Sequence, residues 1–220
     1  MTVRRSRRAA GVAVTALLTL TACAPKAPDY QSIWTTSGTP TTTSVEADPK
    51  PVPFSQYLED LGVQGEPVTP SKLTDLVVTL PRPKGWATYS NPNMSPQTEM
   101  IAKNNGYPTA MLMVFRLQGN FDVAEAVKHA NADAALSQDF TKLNESVADF
   151  RGFPSAMIEG SYTLADQRLH SYSRVVIPVT PAPAFQRYLV QLTVTSLAAQ
   201  AVGQSDDIQA VISGFDVTVK

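Results

Sequence analysis

The sequence contains one cysteine and two histidines, and beyond a short run near its start it has no long apolar stretch. With Cys23 alone, a disulfide scaffold, a thiolate metal site and a second reactive thiol are all excluded. The folded part of the chain must therefore be held together by its core. Two isolated histidines give no zinc-binding spacing. The chain has no Gly-x-Ser-x-Gly elbow, and it lacks a phosphate-binding loop, a dinucleotide fingerprint and an EF-hand loop. No cofactor and no metal is expected. Excess positive charge is also missing. The formal net charge is −1, and removing the four arginines of the leader takes it to about −5, which favours solubility and argues against a nucleic-acid partner.

What the chain does have begins at its first residues. Arg4, Arg5, Arg7 and Arg8 form a basic segment, and Ala9 to Leu20 is apolar apart from Gly11, Thr15 and Thr19. Small residues then close the run. That is the layout of a secretory signal peptide. The apolar run is about a dozen residues, against roughly 20 needed to span a bilayer core. The residues after the paired arginines do not match a twin-arginine signal, so general secretion is expected. Leu20-Thr21-Ala22-Cys23 closely resembles the lipobox of bacterial lipoproteins. In that class the thiol receives a diacylglyceryl group, and cleavage here falls between Ala22 and Cys23. Two or more acyl chains, at about 0.8 kcal/mol per buried methylene, make a stable anchor. The expected location is the extracytoplasmic face of the cell membrane, with the membrane itself as a partner through the lipid.

Three parts follow from this reading: a signal peptide over 1–22, a lipidated cysteine with its tether over 23–53, and a globular domain over 54–220. The tether is rich in Thr, Ser and Pro and shows no apolar periodicity. Such a segment buries too little surface to offset its ordering entropy, so a partly extended spacer is expected. Its Thr-Pro content would suit O-glycosylation. Tyr30, Ile33 and Trp34 are its apolar exception, placed on the membrane surface or docked on the domain.

The domain starts with a short helix carrying Phe54, Tyr57, Leu58 and Leu61 at helical spacing, ended by Gly62 or Gly65. Strands are expected over 76–80, 98–103, 109–117, 156–164, 168–177 and 188–195, with a weak one within 140–150. Asn104-Asn105-Gly106 is turn chemistry. Asp122 should cap a long helix over 123–137. A last helix over 197–213 should bury Val202, Ile208, Val211 and Ile212 and end at Gly214, with 215–219 extended. Separated helices around consecutive strands predict an α+β fold: a mostly antiparallel sheet with flanking helices.

Several segments carry a family resemblance: the lipobox, LTDLVVTLPRPKGW, TEMIAKNNGYPTAMLMVFRLQG with its following helix, FRGFPSAMIEGSY, and RYLVQLTVTSLA. Together they span essentially the whole chain. The sequence resembles the LpqN/LpqT lipoproteins of mycobacteria and related actinobacteria. The resemblance implies a Mog1/PsbP-like α/β sandwich. It also implies a cell-envelope lipoprotein without known catalysis, with an envelope protein or a lipid as partner. The motifs are framework motifs, and fold analogy alone does not transfer a partner.

Beside that stands the chemistry of individual residues. Trp86, Met111, Met113, Phe115 and Met157, with Met94, Met100 and Phe153 nearby, could line an apolar pocket for an acyl chain, since thioethers adapt to flexible ligands. Ordinary core packing is the competing reading. His129 is spaced to pair with Glu125 or Asp133 on a helix surface. His170 could act as a general base for Ser171 or Ser173, or be a half-exposed strand residue. Arg116, Arg151, Arg168, Arg174 and Arg187 could converge on an anion or line a solvated face. Glu59-Asp60 and Asp206-Asp207 are adjacent in sequence, so their side chains diverge on a helix. The expected function is a non-enzymatic envelope accessory or binding protein. The alternatives are a lipid or glycolipid carrier and a hydrolase centred on His170.

Overall fold

The computed structural model describes residues 51–220. The signal peptide, Leu20, Thr21, Ala22, Cys23, the three apolar tether residues and nearly all of the tether lie outside the described residues. The fold is α+β, as the pattern of strands and helices indicates.

Among the described residues ten strands form two sheets. In chain order they are β1 (Gln64–Pro67), β2 (Leu76–Thr79), β3 (Trp86–Thr88), β4 (Glu99–Lys103), β5 (Gly106–Gln118), β6 (Thr141–Ser146), β7 (Ser155–Leu164), β8 (Gln167–Val176), β9 (Arg187–Leu197) and β10 (Asp216–Val219). The large sheet runs β3-β4-β5-β9-β8-β7-β6, with β1 also paired to β5. Every pairing in it is antiparallel. Strands β2 and β10 form a separate two-stranded sheet. The helices are α1 (Phe54–Asp60), α2 (Val123–Ala126), α3 (Ala132–Ala135) and α4 (Ser205–Gly214).

The large sheet is buried on both faces, so its central strands are apolar on both sides. On one face Ala110, Leu112 and Val114 of β5 stand beside Val194, Leu192 and Val190 of β9. There β2, β10 and α4 cover them with Leu76, Ile208, Val211, Phe215 and Val217. On the other face Met111, Met113, Phe115 and Leu117 pack under α1 and the α2–α3 segment through Phe54, Leu58, Ala126, Val127 and Ala130.

Two hairpins show how local sequence sets the turns. Asn104 (φ 52) and Asn105 (φ 59) sit in the left-handed region between β4 and β5. Asparagine tolerates that region better than most residues. Ala165 (φ 46) and Asp166 (φ 62) make the β7–β8 turn, and alanine has no such tolerance. Ala165→Gly should therefore stabilise the domain by about 0.5–1 kcal/mol, read as a rise in the urea midpoint at unchanged slope. At Gly160 the opposite holds. A Cβ there would lie 2.5 Å from the Phe140 ring and 2.7 Å from the Thr141 carbonyl. The ring can shift but the backbone cannot, so Gly160→Ala should cost about 1–3 kcal/mol, measured the same way.

The structure departs from expectation at both long helices. The segment expected as one helix over 123–137 is broken into α2, a 3₁₀ turn over 127–129, and α3. Asp122 does cap it, accepting from the amides of Ala124 and Glu125. The break places the Asn131 amide indoors, where it donates to the Met157 carbonyl and to Glu145 Oε1, each at 3.2 Å. Tertiary pairing outweighs helix propensity here. The Lys142 and Asn131 contacts hold the Glu145 carboxyl below its ordinary value. A depressed carboxyl contributes stability above its unfolded pKa and loses it as pH falls through the folded one. The stability gap between the parent and Glu145→Gln should therefore shrink as unfolding is measured from pH 7 down to pH 3.

The last helix is the second departure. Strand β9 continues to Leu197 because Ser196 and Leu197 pair with His170 and Leu169. Helix α4 then starts only at Ser205. Val202, expected in the core, is 88 % exposed, whereas Ile208 and Val211 are buried as expected. Gly214 is the last helical residue, and Phe215 is the C-cap.

Candidate functional site

The five residues expected to line one apolar pocket do not meet. Met111, Met113 and Phe115 belong to the cluster under α1, whereas Trp86 and Met157 belong to the cluster under α4. The sheet lies between the two sets. Each is only 5–8 % exposed. Side chains at successive strand positions point to opposite faces, and a β5 buried on both sides splits its own methionines from Met157. Core packing accounts for all five.

His170 has a partner. Its Nε2 lies 2.9 Å from Glu159 Oε1, and the imidazole is half-buried. The register sets His170 between Ser161 of β7 and Ser196 of β9. Ser171 and Ser173, the expected nucleophiles, project from the opposite face. Ser161 Oγ accepts a hydrogen bond from Arg168 at 2.7 Å. Ser196 is fully buried. One serine is thus engaged and the other out of reach of a substrate. The geometry is that of a strand histidine held by a hydrogen bond with a neighbouring glutamate. His129 stacks on Tyr57, with ring centroids 3.9 Å apart, and lies 3.9 Å from Glu125.

The arginines are dispersed. Arg151 pairs with Asp216 at 2.8 Å. Arg168 bonds the Asp139 carbonyl, Thr141 and Ser161. Arg174 bonds Tyr172 and Ser155 and lies over the Phe150 ring. Arg187 lies over the Phe121 ring. Arg116 is within 3.6 Å of Glu66, and its bond with Tyr188 raises its pKa. Tyr188 in turn donates to Asp75 at 2.9 Å, and burial together with that carboxylate pushes the phenol up. No common anion site results. The acidic pairs are equally separate, with Asp207 bonded to Lys103 and Asp60 to Gln56. Among the described residues no group of three or more histidine, cysteine or acidic side chains could hold a metal ion.

A cleft of about 520 Å³ opens elsewhere, at the β3–β4 edge of the large sheet. It is lined by Thr88 of β3, by Glu99 and Ile101 of β4, and by residues of the 89–98 connection. Backbone bonds shape that connection: Tyr89 N donates to the Met100 carbonyl, Met94 N to that of Asn91, and Thr98 N to that of Ser95. The Asn91 side chain accepts from Asn93 N at 3.0 Å. Arg82 enters from the β2–β3 connection. The volume lies within the roughly 300–1,000 Å³ of small-molecule sites. Sequence reasoning missed this cleft. Its residues are ordinary turn-formers with no motif spacing, and they converge only because β3 and β4 pair.

The comparisons with known proteins agree with this architecture. Residues 50–218 match the family described as "Probable lipoprotein LpqN". The lipoprotein LpqT of Mycobacterium tuberculosis is 58 % identical over 96 % of this chain and 94 % of its own length. The Mycobacterium leprae protein of that name is 50 % identical over 99 % of each chain. The crystal structure of LpqN involved in cell envelope biogenesis of Mycobacterium tuberculosis superposes with a TM-score of 0.65 at 19 % identity. That superposition covers 77 % of this chain and 98 % of the other.

Proposed function

The chain belongs to the LpqN lipoprotein family, and from that premise we propose that it is a lipid-anchored, non-enzymatic accessory protein of the cell envelope, which binds its partner through the folded domain. Several observations support this. Family relatives are named lipoproteins, and LpqN is tied to cell envelope biogenesis. The matching family is named for a lipoprotein and not for a catalytic activity. Among the described residues no helix is long and apolar enough to cross a membrane; the attachment proposed is the lipid on Cys23.

The observation that carries the accessory reading over the carrier reading is the packed sheet. Met111, Met113 and Phe115 lie on one face, Trp86 and Met157 on the other, and all are buried among core neighbours. An acyl carrier needs an apolar chamber, and these residues are spent on the core. The cleft at the β3–β4 edge has a largely polar wall instead. Protein purified in detergent from its own membranes and then delipidated should therefore release no acyl lipid beyond the chains bound to Cys23. One non-covalent lipid per protein, found by mass spectrometry of the extract, would support the carrier reading instead.

A further inference from the structure

We propose that the loop over 180–186 is a second membrane contact, which seats Phe185 in the lipid–water interface and sets the orientation of the anchored domain. The inference deepens the accessory reading and rests on the anchor at Cys23. No charged residue occurs between Arg174 and Arg187. Within that stretch Pro181, Ala182, Pro183, Ala184 and Phe185 are all exposed. Phe185 is 60 % exposed. Leu143 and Val147 are comparably exposed, but Lys142, Glu145 and Asp149 stand within two residues of them. The base of the loop is fixed. Thr180 N donates to the Gln186 carbonyl at 2.9 Å, Tyr188 N to that of Pro178 at 3.0 Å, and the Gln186 side chain to that of Leu117 at 2.9 Å. Phe185 itself sits at φ 45, a region unfavourable for a bulky residue. The strained backbone thus presents an apolar ring outward, where water offers it no compensating contact.

The tip also loses little on leaving water. Pro181 and Pro183 carry no N–H, and the Phe185 amide donates to the Pro181 carbonyl at 3.3 Å. Few backbone donors are thus stripped of water in the interface. Arg187 lies at the base of the loop, its guanidinium over the Phe121 ring, where a long cationic side chain can meet lipid phosphates. The tether joins close by. It enters α1, whose seven residues span about 10 Å. The turn after α1 carries exposed Leu61 and sets Gly62 against Gly119, whose carbonyl accepts from Arg187. A coil of the thirty residues 24–53 would span about 30 Å, so the bilayer that holds the anchor is within reach of the loop. Strand β9 leads away from this end, and its eleven residues cover roughly 30–35 Å. Val202 follows its far end, so the two ends of β9 give opposite expectations.

The test uses the mature, lipidated full chain in vesicles of equal parts phosphatidylcholine and phosphatidylglycerol. Acylation blocks the Cys23 thiol, so Ala184→Cys and Val202→Cys each add a single reactive thiol for an environment-sensitive fluorophore. Quenching by nitroxide-bearing lipids then reads depth. The inference expects strong quenching of the label at 184 and little at 202. Phe185→Asn suits the left-handed backbone, so the thermal midpoint should not fall. It should lower the quenching at 184 by about fivefold, and Phe185→Leu should restore it. Three results would overturn the inference: equal quenching at 184 and 202, stronger quenching at 202, or quenching at 184 indifferent to Phe185→Asn. A loop reserved for a protein partner would give the first of these, since the vesicles hold lipid alone. Flotation of the protein with the vesicles reports the anchor separately. Protein that floats with its 184 label unquenched removes the loop contact and leaves the anchor standing. Protein that does not float removes both.

Discussion

Cys23→Ala should move the protein from the membrane to the aqueous phase. The sulfur of Cys23 is the only thiol in the chain, so no other residue can accept a thioether-linked diacylglyceryl group. Burial of acyl chain contributes about 0.8 kcal/mol per methylene, and one chain alone gives only marginal, reversible binding. The two chains of a diacylglyceryl group roughly double that free energy. Losing both should shift the detergent-to-water partition of the expressed protein by a factor of 100 or more. The apolar leader is too short to substitute as a stable span, at about a dozen residues against roughly 20. The measurement is Triton X-114 phase separation of parent and variant, with mass spectrometry of the mature N-terminus. A variant that still enters the detergent phase, or a parent whose Cys23 is unmodified, would remove the anchor from the account.

Leu112→Ala should be the most damaging conservative truncation in the domain. Leu112 is fully buried. It sits in the middle of β5, opposite Leu192 of β9 and opposite Glu99 of β4. Its face packs against Val211, Phe215 and Val217 from the covering layer. Truncation removes the transfer energy of the lost methyls and leaves a void between two layers that hydrogen-bonded strands cannot readily close. The expected loss is about 2–5 kcal/mol, against roughly 5–15 kcal/mol for a whole domain. At about 2–4 °C per kcal/mol for a domain of this size, the thermal midpoint should fall by about 4–20 °C. Val202→Ala, at a position 88 % exposed, should change it by less than about 2 °C. Near-equal effects of the two substitutions would show that the sheet is not the stabilising layer described here.

The contrast between these two apolar residues shows how far the sequence could be read. Strands β4, β5, β7, β8 and β9 were legible because β-branched and apolar residues run between clear turn signals. The Asn104-Asn105 turn was legible from turn chemistry. Strand β1 was not, since Gln64–Pro67 carries no alternation and exists only because it pairs with β5. Helix propensity over 123–137 was strong, and it yielded to the inward bonds of Asn131. Val202 fits a helical core pattern counted from Leu197, but the pattern was out of place once pairing with β8 extended β9.

The candidate site divides in the same way. Cys23 and its flanking residues need no fold to be recognised, because lipidation reads a linear segment. An apolar pocket could not be judged from composition, because methionine lines cavities and fills cores alike. Only the sheet decided it, by sending Met111, Met113 and Phe115 to one face and leaving Trp86 and Met157 on the other. The sequence by itself supplied the signal and lipobox pattern from which export and a thiol anchor are proposed, the α+β class and the lack of the common catalytic motifs, since each rests on local order along the chain. Tertiary structure alone decided that His170 pairs with Glu159, that the five arginines disperse, and that a polar cleft forms around Arg82 and Glu99. Those outcomes depend on which strands become neighbours, and strand pairing joins residues far apart in the chain.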